Sequence, residues 1–179
     1  VLTTWQKDAY LIICFSMHPE NPYEFIELAC LDNEGNSLQY YFLPKDFKKI
    51  SSKWLMHQGL SRKNFRLAVR WSFMQMELLS LFHQECYQYR LTDDSELLSM
   101  ALEYQCKKSL FDTKLPKFTD VLDVFSQIHP LIFPKTTKDG GNDKFAKIYQ
   151  LLTRTTPLQN TFRAIERCQI IQQFINRHS

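Results

Sequence analysis

The stretch "YLIICFSMHPENPYEFIELACLDNEGN", residues 10–36, decides the fold. Its first six residues, 10–15, are short, apolar and rich in β-formers, which predicts a buried central strand. A second strand fits residues 24–31, and the "DNEG" at 32–35 supplies the Asn and Gly chemistry of a tight hairpin turn. A third strand over 37–43 is stopped by Pro44. Three antiparallel strands therefore open the chain.

Downstream the pattern turns mixed. Residues 62–82 carry a long helical pattern, followed by a strand near 86–91. Thr92 or Asp93 can cap a helix running through Cys106. "LPKF" (115–118) reads as a short strand, and Thr119 or Asp120 caps a helix over "DVLDVFSQIH" (120–129). Pro130, Pro134, Gly140 and Gly141 make 130–142 a surface loop, and two last helices fit 143–153 and 160–177. The order predicts an α/β layer: a mixed β-sheet of about five strands flanked by helices.

A chain of 179 residues is most simply one domain, 1–179, with a sizeable core. With 44% hydrophobic and 23% charged residues it is globular rather than disordered. A net charge of +3 permits nucleic-acid binding without arguing for it. Cys14, Cys30, Cys86, Cys106 and Cys168 show no C-x-x-C spacing, so buried reduced thiols in a cytoplasmic protein are expected. No apolar run approaches about 18 residues, so no membrane span is expected. No signal peptide is visible at Val1, and the missing initiator methionine fits a piece of a longer protein.

Five strings occur in order along nearly the whole chain: "EFIELA" (24–29), "DNEGN" (32–36), "HQGLS" (57–61), "FTDVLDVFSQIHP" (118–130) and "TPLQNTFRAIERCQIIQQFI" (156–175). Together they resemble the DEDD family of 3′-to-5′ exonucleases, which has the RNase H-like fold and includes the proofreading subunit of bacterial DNA polymerase III. The resemblance implies a cleft in which acidic residues hold two divalent metals about 3.5–4 Å apart. On the matching positions this chain departs from the family. Cys14 and Ser16 stand for the first Asp and Glu, Phe162 for the general-base His, and Arg167 for the last Asp. Glu96 aligns with the second-motif Asp, with Asp93 and Asp94 as its rivals. Magnesium needs oxygen ligands, a fixed guanidinium opposes a cation, and Phe cannot take a proton from water. The expectation is a chain that is not an enzyme, with no metal and no cofactor. Glu27, at the second-strand acid, is read as structural. A zinc site from Cys14, His18 and Glu96 has no supporting ligand spacing, and a Cys14–His nucleophilic pair is a minor alternative.

What such a scaffold does is read from its surfaces. Projected as one helix, 62–82 has an apolar arc far wider than a surface helix needs. This suggests a second buried surface, either within the fold, with the helix tucked between sheet and C-terminal helices, or against another protein, as an adaptable interface built on Trp71, Met74, Leu67 and Leu78. The first expectation is thus an interaction or scaffold subunit with a protein partner or a second copy. The alternative is a single-stranded nucleic-acid binder using Lys45, Lys48, Lys49, Lys53, Arg62, Arg66 and Arg70, interleaved with Phe47 and Trp54. A residual metal-dependent exonuclease is third.

Overall fold

The computed structural model describes residues 2–130, 141–158 and 161–177. Helix α1 (Leu2–Lys7) leads into β1 (Tyr10–Met17), β2 (Phe25–Asp32) and β3 (Ser37–Tyr41). Then come α2 (Ser52–His57), α3 (Trp71–Phe82), β4 (Tyr89–Thr92), α4 (Ser95–Lys108) and β5 (Thr119–Asp120). The chain continues as α5 (Val121–Ile128), α6 (Gly141–Thr153) and α7 (Ala164–Arg177). The five strands form one mixed sheet in the order β3-β2-β1-β4-β5. β2 runs antiparallel to β1 and β3, whereas β4 is parallel to β1 and β5 to β4.

β1 is apolar without alternation because both faces of the sheet are covered. Leu11, Ile13 and Phe15 meet Leu78, Leu79 and Phe82 of α3 and Leu98 and Leu102 of α4. Ile12 and Cys14 point the other way, onto Cys168, Ile171 and Phe174 of α7, with Phe145 of α6 and Phe125 of α5 behind them. The hairpin forms where its residues predict. Asp32 Oδ1 accepts the N–H groups of Glu34 and Asn36 at 2.9 Å each, and Gly35 takes φ +93°. At the other end of β2 the ladder shifts: Ser16 pairs with Glu27 but Met17 with Phe25, leaving Ile26 as the extra residue of a β-bulge.

The helix projected over 62–82 is shorter in the structure. Residues 62–65 form a 3-10 turn, closed by reciprocal hydrogen bonds between Ser61 and Asn64. Val69 then lies alongside the end of β3, donating to Tyr41 O at 3.2 Å and accepting from Leu43 N at 2.9 Å. That pairing keeps the backbone extended through Arg70, so α3 begins only at Trp71. α1 and α2 go unannounced in the sequence, β5 falls at 119–120 rather than 115–118, and α7 starts at Ala164. Of the expected loop 130–142, residues 131–140 lie outside the described residues, and α6 begins at Gly141. Among the described residues no helix is long and apolar enough to cross a membrane.

Candidate functional site

The C-terminal ends of β1 and β4 open into a cleft of about 260 Å³, lined among others by Ser16, Gln58, Asp93, Asp94, Phe162 and Arg167. Three of the residues singled out by the sequence, Ser16, Phe162 and Arg167, thus converge there from opposite ends of the chain. Cys14 lies one step deeper on β1, fully buried, and burial pushes its thiol well above the usual range. With no exposed surface and a place among the core side chains of α7, Cys14 acts as a packing residue.

Glu96 is corrected by the structure. Asp94 caps α4, its side chain accepting Leu97 N at 3.0 Å, so Glu96 falls on the exposed first turn of the helix, away from the cleft. Asp93, just before the cap, is carried off the end of β4 into the cleft. It is the acid that faces Arg167.

Arg167, on the first turns of α7, is the hub of the site. It donates through Nη1 to Asp93 Oδ2, and through Nη2 to Phe15 O at 2.6 Å and Ser16 Oγ at 3.1 Å. Ser16 in turn donates to Glu27 Oε1 at 3.0 Å, and the same carboxylate oxygen accepts Ala164 N, the first residue of α7, at 2.9 Å. One hydrogen-bonded chain therefore joins β1, β2, the β4–α4 junction and α7. Burial pushes the Asp93 carboxyl up, and Arg167 pulls against it. Burial also opposes the charge on Arg167, yet the neighbouring Asp93 carboxylate holds the guanidinium above its ordinary value. The guanidinium stays charged, with Asp93 as its counter-ion. Glu27, only 3% exposed, is the residue whose part the sequence understates: it holds Ser16 and starts α7. Its place on a strand opposite Ser16 was the available signal.

A pair of divalent cations between shared carboxylates does not fit this donor set. Asp93 Oδ2, Ser16 Oγ and Phe15 O each accept from the Arg167 guanidinium, whose fixed charge repels a second cation beside it. Elsewhere, His18, Glu24 and Asp46 form the one group among the described residues compact enough to hold an ion. Its hydrogen bonds give it another role. His18 Nδ1 accepts from Glu20 N at 3.0 Å and Asn21 N at 3.1 Å, so the neutral ring carries its proton on Nε2, 3.0 Å from Asp46 Oδ1. A metal on Nε2 would have to push that proton onto Nδ1, against two N–H groups. The cluster clamps a loop.

The proposed interface is also corrected. Trp71 is 8% exposed and stacks on Phe25 at 4.5 Å, and Leu78 is buried beside it in the same core. Met74 is half-buried and Leu67 is exposed. Of the cations, Arg62 is tied down: it donates to Ile50 O at 2.6 Å and lies 5.2 Å over the Phe47 ring. Lys45, Lys48, Lys49, Lys53, Arg66 and Arg70 are exposed and form no ion pair among the described residues. Cys30, Cys106 and Cys168 are buried free thiols like Cys14, but Cys86 is exposed.

No protein-family model and no curated protein sequence matches the chain. Solved structures do. The nuclease domain of 3′hExo, a DEDDh family member bound to rAMP, matches with a TM-score of 0.63 and 16% identity, covering 94% of this chain and 92% of that one. A full-length 3′-exonuclease matches at 0.66 and 17%, covering 94% and 80%. The cell-death related nuclease CRN-4 matches at 0.61 and 18%, covering 94% and 64%. The chain has the exonuclease fold. The expectation that it is not an enzyme is overturned: these structures are nucleases, and the fold is an enzyme fold. That expectation rested on a few side chains, whereas the likeness follows the backbone over almost the whole chain.

Proposed function

We propose that this exonuclease-fold domain binds single-stranded nucleic acid along the segment 45–70 that borders the cleft. One observation carries the reading. Residues 45–70 hold eight Lys and Arg against a single acid, Asp46, a net +7, in a chain whose total is +3. The remainder of the chain is therefore acidic, and positive charge is concentrated on one region, as phosphate backbones require. Phe47 and Trp54, both half-buried, offer ring surface between these cations for stacking bases. Gln58, within the segment, lines the cleft, and Arg163 lies 5.4 Å over Tyr41 and beside Gly59. The similarity to 3′-exonucleases, one described in 3′-end recognition of a histone mRNA stem-loop, supports a nucleic-acid ligand.

The test is anisotropy of a labelled single-stranded oligonucleotide at rising salt. With six phosphate contacts to a single strand, affinity should fall about 300-fold between about 50 and 200 mM salt. Lys48→Ala with Lys49→Ala should weaken binding at low salt and flatten the slope. Binding that ignores both salt and this variant would overturn the reading. The same mixtures with Mg²⁺ show whether the strand is cut.

A second reading, a protein-interaction subunit, is favoured by Leu67, Phe73 and Met76, which stand 94%, 78% and 67% exposed. Sedimentation of Phe73→Ser with Met76→Ser tests it: partner or self-association held there should be lost while the fold is kept.

A further inference from the structure

We infer that the domain carries a phosphate-binding pocket separate from the cleft, where the start of α3 meets the end of α4. The pocket holds about 240 Å³, below the 300–1,000 Å³ of sites for whole cofactors, so it suits a small group. Three cations from three segments line it: Lys45 after β3, Arg70 before α3 and Lys108 at the end of α4. None forms an ion pair among the described residues. The one acid of the lining, Glu24, accepts Asn21 Nδ2 at 2.9 Å. Positive charge therefore exceeds negative inside a concave wall, which selects an anion.

The floor is built rather than incidental. Trp71 Nε1 donates to Gln75 Oε1 at 2.8 Å, Gln75 Nε2 to Ser109 Oγ at 2.8 Å, and Ser109 Oγ to Gln105 O at 2.8 Å. Gln105 Nε2 donates to Tyr23 O at 2.7 Å, which fixes the loop ahead of β2 as the far wall. Gln75 and Gln105 are 5% and 8% exposed, and a buried polar chain of this kind holds its geometry only when its members are bonded. On this floor the N–H groups of Trp71 and Ser72 open α3 with no side-chain cap, adding donors at the positive end of a helix dipole. Charge, shape and donors agree on a tetrahedral oxyanion: a phosphoryl group, either free or in the backbone of a strand. Lys45 and Arg70 belong also to the segment proposed to hold a strand, but the pocket needs only a phosphoryl group, so inorganic phosphate tests it without a strand.

The experiment is titration of the ¹⁵N-labelled chain with inorganic phosphate at low salt, following the amide resonances of Trp71 and Ser72. Saturable shifts confined to these amides and their pocket neighbours are expected. Arg70→Ala with Lys108→Ala should weaken them on the order of tenfold, because charge-assisted contacts are removed. Lys117→Ala, an exposed cation outside the pocket, should not. Unchanged melting temperatures will show that the variants fold. Shifts that fail to saturate, or that survive the double change, overturn the proposal. A short single-stranded oligonucleotide then separates the sources. If it moves the same amides at lower concentration than phosphate, the strand backbone is the ligand; if it leaves them untouched while phosphate saturates, a free phosphoryl compound is.

Discussion

Asp93 and Arg167, 74 residues apart in the chain, form an ion pair whose side chains are only 8% and 12% exposed. It ties the end of β4 to the start of α7 across the mouth of the cleft. Such a pair is asymmetric in its energetics. Taking two charges out of water is costly, and their attraction largely offsets that cost, but removing one partner strands the other.

The first prediction follows from that asymmetry. Arg167→Ala leaves Asp93 buried and unpaired and should lower unfolding stability by about 3–5 kcal/mol in urea titrations. Adding Asp93→Leu should recover much of the loss. If the single change cost under about 0.5 kcal/mol, like an ordinary surface substitution, the pair would not hold the cleft.

Trp71 and Phe73 make the second prediction, because they are neighbours with opposite surroundings. Trp71→Ala empties a site packed on Phe25 and Phe42 and should cost about 3–5 kcal/mol. Phe73→Ala removes a ring that is 78% exposed and should change stability by no more than about 0.5 kcal/mol. Equal effects on equilibrium unfolding would contradict the helix start at Trp71.

The third concerns pH. Burial pushes the Asp120 carboxyl up to about 6, although Ser95 N, Leu122 N and Asp123 N all donate to it. A carboxyl raised on folding binds protons more readily in the native state. Its contribution is therefore most favourable below the ordinary carboxylate value and is lost as pH rises toward 6 and beyond. Asp120→Asn keeps a cap for α5 but cannot ionise. The difference in stability between variant and parent, measured by thermal melts from pH 4 to 7, should shift in the variant's favour as pH rises. A difference independent of pH would refute it.

The fourth is local. Gly35 sits at φ +93° with open space where a Cβ would go, so only the backbone conformation resists substitution. Gly35→Ala should destabilise by about 1 kcal/mol or slightly more, whereas the exposed Glu34→Ala should be nearly silent.

The three opening strands and the hairpin were legible because local chemistry decides them: an unbroken apolar run, then Asp32 and Gly35 at the turn. Convergence of Ser16, Phe162 and Arg167 was legible through ordered resemblance alone, since no local rule links positions so far apart. Glu96 was the wrong acid because a single capping position decides which of several adjacent carboxylates leaves the strand and which rides the helix. Trp71 was misjudged because helical spacing was projected across Val69, where pairing with β3 wins over propensity. The concentration of charge over 45–70 was in the sequence throughout; its relation to the cleft needed α2 and the 3-10 turn to be placed.

The bulge at Ile26 fixes how this strand can change. With the extra residue in place, Phe25 joins the α3–α4 core while Glu27, two positions on, faces Ser16 on the opposite side of the sheet. In an unbulged strand, residues two apart share one face. Residue identity at 26 is then open to exchange among apolar side chains of similar size, but the count of residues is not. Deleting one residue here would drive either the aromatic ring or the carboxylate through to the wrong side of the sheet, so this part of the chain can vary in spelling and not in length.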